Sequence, residues 1–121
     1  MKKNIEYLPQ MYEAFFNELK PVRYKFIVND SERYHVGFIS QEVEESLQKA
    51  AISTQDFAGF LKWQGTDGKY EYGLRYGEFI ALNTWQIQKL KPRVSTLEQT
   101  ILGYETRIST LEQELENLKN S

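Results

Sequence analysis

The chain has no cysteine, so disulfides and thiolate chemistry are excluded, while the compartment stays open. It has a single histidine, His35, which without cysteines or suitably spaced carboxylates cannot build a zinc site and reads as a structural hydrogen-bonding residue. No apolar run approaches the roughly 18 residues that a transmembrane helix needs. The start, Met1-Lys2-Lys3-Asn4, is basic but lacks the apolar stretch of a signal peptide. Neither sign of charge dominates: 15 basic against 17 acidic residues leave a net charge of -2. That balance offers no electrostatic reason to bind nucleic acid or an anionic membrane. Aromatic residues are plentiful but are not interleaved with basic ones as in a single-strand binder. Glu42, Glu44 and Glu45 read as the acidic start of a helix, and Gly65 and Gly68 as turn glycines, not a phosphate loop. No residue pattern nominates an enzyme pocket, a metal or a cofactor.

What is present is a heptad repeat. Ile87, Val94, Ile101, Ile108 and Leu115 occupy position a; Leu90, Leu97, Tyr104, Leu111 and Leu118 occupy position d. The spacing alternates three and four without a slip. Such a narrow seam wants similar helices beside it, more than a small domain folding back on it. Charges flanking the seam speak to partner and register. Arg93 would face Glu98 of a neighbour, Arg107 would face Glu112, and Glu114 would face Lys119, with Thr100 and Glu105 as a neutral fourth pair. Opposite charges at these positions favour parallel, in-register strands. Each exposed pair is worth only about 0–1 kcal/mol, so its contribution is choice of register. β-Branched residues at a with leucine at d point to a dimer, whereas Tyr104 is large for a two-stranded seam; Asn83 would sit at d if the register extended upstream. The heptads alone leave dimer and trimer open.

Ahead of the seam the chain reads as a small α+β head, residues 1–91, on a coiled-coil stalk, residues 92–121. An amphipathic helix is expected over residues 4–19 from Ile5, Leu8, Met11, Tyr12, Phe15, Phe16 and Leu19, with Asn4 as N-cap, unless Pro9 delays its start; Pro21 closes it. Residues 22–28 alternate as a half-buried strand, residues 29–32 as a turn, and residues 34–39 as its partner strand. Ser40 reads as the N-cap of a helix with Val43, Leu47 and Ala50 as its apolar stripe. Residues 51–59 are expected to cross the surface. Residues 60–64 and 69–75 form a hairpin around Gly65-Thr66-Asp67-Gly68, with Trp63 as the large apolar anchor. A last helix begins near Tyr76 or Gly77, and Pro92 marks a kink or the first turn of a new helix.

Beyond periodicity, ordered blocks carry a resemblance. Asn4-Ile5, then Leu19-Lys20-Pro21-Val22-Arg23-Tyr24, His35-Val36-Gly37-Phe38-Ile39-Ser40-Gln41-Glu42-Val43-Glu44 and Tyr72-Gly73-Leu74-Arg75-Tyr76 resemble the C-terminal intramolecular chaperone domain of bacteriophage tail spikes, tail fibres and neck appendages, the peptidase S74 family of endosialidase type. The resemblance implies a homotrimer whose stalk is a parallel three-stranded bundle. It implies a domain that brings three chains into register while the upstream shaft of the same polypeptide folds, and that is then released by autoproteolysis. His35, Gly37, Phe38, Gln41 and Glu42 form its chaperone motif, with Gly37 permitting close backbone approach and Phe38 packing in the core. Family members cut just before a serine, with a lysine five positions later as its partner. Lys2 takes the place of that lysine, and Lys3-Asn4-Ile5 match the family residues C-terminal to it. The serine would precede Met1, so the chain as given is expected not to cut itself. The resemblance implies action in the host cytoplasm during phage assembly, with the domain absent from the mature virion. It implies neither nucleic acid nor membrane as partner. A permanent structural trimerisation tip, or the equivalent domain of a self-cleaving membrane-bound transcription factor, are the competing readings.

Overall fold

A computed structural model describes residues 1–28 and 32–121. Their elements are α1 (Met11–Glu18), β1 (Val22–Tyr24), β2 (His35–Gly37), α2 (Ser40–Lys49), β3 (Phe60–Gln64), β4 (Tyr70–Leu74) and α3 (Glu78–Lys119). The result is a small mixed head and one long C-terminal helix. The chain divides into two compact units, Met1–Asn83 and Thr84–Ser121. The division falls inside α3, upstream of the Pro92 boundary drawn from sequence.

In the first unit the core is aromatic. Phe15, Val43, Leu47, Ala50, Ile52, Phe57, Phe60, Phe79 and Leu82 are buried. Phe15 of α1 meets Phe57 at 5.1 Å between ring centres, and Phe57 meets Phe79 at 5.2 Å, both edge to face. This geometry favours the quadrupoles of the rings. The stripe expected on α2 is therefore where the core sits. Residues 51–59 depart from expectation. They enter the core through Ile52 and Phe57, because α2 ends in a turn that directs the chain inward. Ala51 takes a left-handed backbone, φ 59°, and Ile52 N–H reaches back to the Leu47 carbonyl at 2.9 Å. That is the bonding pattern of a glycine C-cap, made here by an alanine.

α1 is shorter than residues 4–19. Proline at position 9 would break the bonding of a helix that ran through it. The helix instead starts after Gln10, with Tyr12 N–H donating to the Pro9 carbonyl at 3.0 Å. Asn4 is not an N-cap; its φ is 54°, and Ile5 is exposed. β1 and β2 pair antiparallel with Val22 opposite Gly37, Arg23 opposite Val36 and Tyr24 opposite His35. Pairing stops there, and Phe26, Ile27 and Val28 are exposed, so the longer strands expected over 22–28 and 34–39 shrink to three residues each. Of the expected turn at 29–32, residues 29–31 lie outside the described residues. Ser40 is the first residue of α2, and Ile39 is its N-cap. Ile39 has no side-chain acceptor to offer, and its carbonyl receives the N–H groups of Glu42 and Val43, each at 3.0 Å.

The β3–β4 hairpin forms as read, with Phe60 opposite Leu74 and Gln64 opposite Tyr70. Gly68 supplies the positive φ, 80°, that its turn requires. Trp63 is not an anchor. Burial along β3 is lost from Phe60 towards the turn, and Trp63 is 47% exposed, its indole N–H donating to the Glu71 carboxylate at 2.8 Å. The hairpin packs by its base, and Phe60 is the residue that anchors it. α3 is a single helix of 42 residues running through Pro92, not two helices joined there.

Candidate functional site

The block from His35 to Glu42 is spread over β2, the connection after it and the first turn of α2. His35 lies on Tyr24, its cross-strand partner, at 5.6 Å and 24° between rings, and meets Phe26 edge-on at 4.8 Å. It is a member of an aromatic cluster with Tyr24 and Phe26. Gly37 is buried because another residue takes the space of a side chain. A Cβ at position 37 would lie 2.3 Å from the Tyr76 hydroxyl oxygen and 2.8 Å from Cζ of the same ring. That hydroxyl accepts the Phe38 backbone N–H at 3.3 Å. The Phe38 ring stacks on Phe79 at 5.0 Å and 26°. The glycine thus lets Tyr76 reach the main chain, and the phenylalanine after it, partly buried, stacks against the core.

Gln41 is exposed and Glu42 half-buried. Gln41 lines an open groove of 360 Å³ with Tyr24, Phe26, Phe38, Ile39, Ser40, Leu74 and Tyr76. The Glu42 carboxylate sits 3.8 Å from Lys20 Nζ, and its carbonyl accepts the Ser46 hydroxyl at 2.9 Å. Just beyond the block, the Glu44 carboxylate receives Lys62 Nζ at 2.9 Å, while the same ammonium lies over the rings of Tyr70 and Tyr72. The hydrogen bond to Glu44 raises the Lys62 pKa above its ordinary 10.5. Burial, then the nearby Asp56 and Glu6, raise that of Tyr12 above 10.0.

His35 packs on Tyr24 and Phe26, Gly37 lies under Tyr76, and Phe38 stacks on Phe79; of these residues Tyr24, Phe26, Phe38 and Tyr76 line the groove with Gln41. Tyr76 is the residue the site reading missed. Its signal was in the Tyr72–Tyr76 block, which reads as a strand and a helix start and not as the occupant of the space above Gly37. Lys2 stands among the exposed residues ahead of α1 and lines neither that groove nor the 510 Å³ groove between the N-terminal segment and residues 51–56. Among the described residues, no three histidine or carboxylate side chains converge on a point where a metal ion would be held, and no helix is long and apolar enough to cross a membrane.

The second unit is helical. Each residue assigned to the seam is about half exposed or more: Ile87, Leu90, Val94, Leu97, Ile101, Tyr104, Ile108, Leu111, Leu115 and Leu118, from 49% at Val94 to 72% at Leu118. Every other residue from 90 to 121 is exposed as well, so what sets this stripe apart is its apolar character.

Comparison with known proteins gives these features a context. No curated protein matches the chain. Residues 1–52, from the N-terminal segment to the end of α2, match the family model Peptidase S74, described as chaperone of endosialidase. Among solved structures, one described as the crystal structure of a novel intramolecular chaperon aligns at a TM-score of 0.61. The alignment covers 76% of this chain and 95% of that one, at 21% identity. The N-terminal region of this chain thus matches the chaperone domain of the peptidase S74 family, and its fold resembles that of a known intramolecular chaperone.

Proposed function

We propose that the chain is an intramolecular chaperone for a phage tail spike, tail fibre or neck appendage protein. Its head occupies residues 1–91 and its stalk residues 92–121. Three copies join along the stalk in parallel, hold the upstream shafts in register while these fold, and are released by cleavage before a serine ahead of Met1, with Lys2 as the partner that takes the serine proton. The work is done in the host cytoplasm during assembly, and the released domain is absent from the mature particle. The observation that carries this reading is the unbroken exposed seam from Ile87 to Leu118, C-terminal to a region that matches a chaperone family. A helix with that much apolar surface in one stripe is stable when it is covered by its like.

Sedimentation equilibrium over a wide concentration range tests assembly. A mass three times 14.3 kDa is expected. A twofold mass would return the seam to the dimer that its a and d residues favour, and a persistent monomer would remove the reading. In a precursor carrying the upstream serine, Lys2→Ala should abolish cleavage and leave assembly intact. Deleting the domain should lower the yield of folded shaft. If the yield is unchanged and the domain stays on the particle, it is a permanent tip.

A further inference from the structure

The heptad phase does not stop at Ile87. Counting back along α3 places Asn83 at position d and Ile80 at position a. In the head, the first turns of α3 have two different faces. Phe79 and Leu82 are 3% exposed and belong to the core, whereas Ile80 is 66% exposed and Asn83 is also exposed. By heptad count the exposed Ile80 and Asn83 are in phase with the seam residues. An exposed isoleucine three residues before an asparagine, in phase with ten exposed seam residues, is the pattern of an interface with one polar layer.

We infer that contact between copies of the chain extends upstream of the stalk to Ile80, and that Asn83 forms a polar layer which sets the number and register of the helices. The inference rests on the parallel assembly proposed above. The occupant is another copy of α3, because the flanking charges fit an identical parallel neighbour: Arg93 with Glu98, Arg107 with Glu112, and Glu114 with Lys119. The Asn83 carboxamide makes no hydrogen bond among the described residues, and it carries both donors and an acceptor. At one level of a parallel bundle, these amides satisfy one another. A shift by one heptad sets the amide against Leu90, and an antiparallel arrangement sets it against the apolar stalk; either leaves a buried polar group without a partner. An apolar residue would hold the helices more tightly and discriminate less, which is the known trade at a single polar core position.

The absence of cysteine makes the test clean. Ile80→Cys and Leu111→Cys are prepared as separate variants of the full chain, oxidised mildly, and run without reductant. Both are expected to give disulfide-linked chains, since equivalent a or d residues of parallel helices approach within disulfide range. Linking at 111 without linking at 80 would overturn the inference while the stalk assembly stands. Linking at neither would overturn both. Asn83→Leu, read by native mass spectrometry and thermal melting, should raise the melting temperature and add masses beyond the single one of the parent. A single unchanged mass for Asn83→Leu would remove the specifying role of Asn83.

Discussion

Gly37 and Tyr76 form the most demanding contact in the head. A methyl group at position 37 has no room while the tyrosine hydroxyl stands 2.3 Å from where it would be. Gly37→Ala should destabilise the head by about 1–3 kcal/mol through displacement of the ring and loss of its bond to Phe38 N–H. Tyr76→Phe removes the oxygen, so the double variant should cost less than the two single variants added together, a coupling that denaturant titration of the four proteins measures. Ala51 is a second residue with a defined strain. A left-handed backbone disfavours any residue with a Cβ, and Ala51 is exposed, so its methyl fills no core space. Ala51→Gly should stabilise by about 1 kcal/mol, seen as a rise in melting temperature. The pair of Lys62 and Glu44 has a pH signature. The folded state raises the lysine pKa above 10.5, so its contribution is complete below that value and is lost as pH rises through the folded-state value. Tyr12, raised above 10.0, acts in the same direction. Stability should be flat in this respect at neutral pH and fall in the alkaline range, and Glu44→Gln should reduce the part of that fall due to Lys62, to which Tyr72 also contributes, as urea titration across the range will show.

At the scale of elements, legibility in the sequence depended on how local the cause was. The apolar stripe of α2 and the Gly65–Gly68 turn come from residues within a few positions of one another, and both stand where they were read. The start of α1 turned on the chemistry of one residue, Pro9, which outweighed the apolar spacing ahead of it. The strands failed in length for a tertiary reason. Alternation of Val22, Tyr24, Phe26 and Val28 continues past the point where pairing ends, and periodicity carries no information on what covers a face. Trp63 failed for the same reason: size marks a residue as a good anchor, but only packing at the base of the hairpin decides that Phe60 is buried instead. In the site, Gly37 reads as a close approach and has one, whereas Phe38, read as a core residue, is only partly buried and stacks on the core residue Phe79. The partner that gives both their meaning, Tyr76, is 38 positions from Phe38, and no local pattern announces such a contact.

On the scale of the whole molecule, the proposed assembly stands or falls with the seam. Ile101→Asp or Ile108→Asp buries a charge against apolar neighbours once copies associate, and should abolish assembly at concentrations where the parent chain is fully associated. The head should keep its secondary structure, because its core from Phe15 to Leu82 contains no residue of the seam. Sedimentation together with circular dichroism separates these effects; an unchanged mass would remove the coiled-coil assignment. The thermal midpoint of the parent chain should rise with protein concentration, as mass action requires of an assembled fold, and that of the aspartate variants should not.

The tie between Phe38 and Tyr76, and the place of Phe79 and Leu82 among the buried residues of the head, set an order in time. Each turn of α3 closes with residues near it in sequence, but a lone helix is marginal until it packs. The head cannot close until the ribosome has delivered the beginning of α3, because its aromatic core lacks Phe79 before then. Loop closure over such spans is the slow part of folding a small domain. Completion of the head therefore reports that translation has passed residue 82. A nascent chain stalled earlier would lack the closed core, and would stay open to proteases until the missing residues emerged.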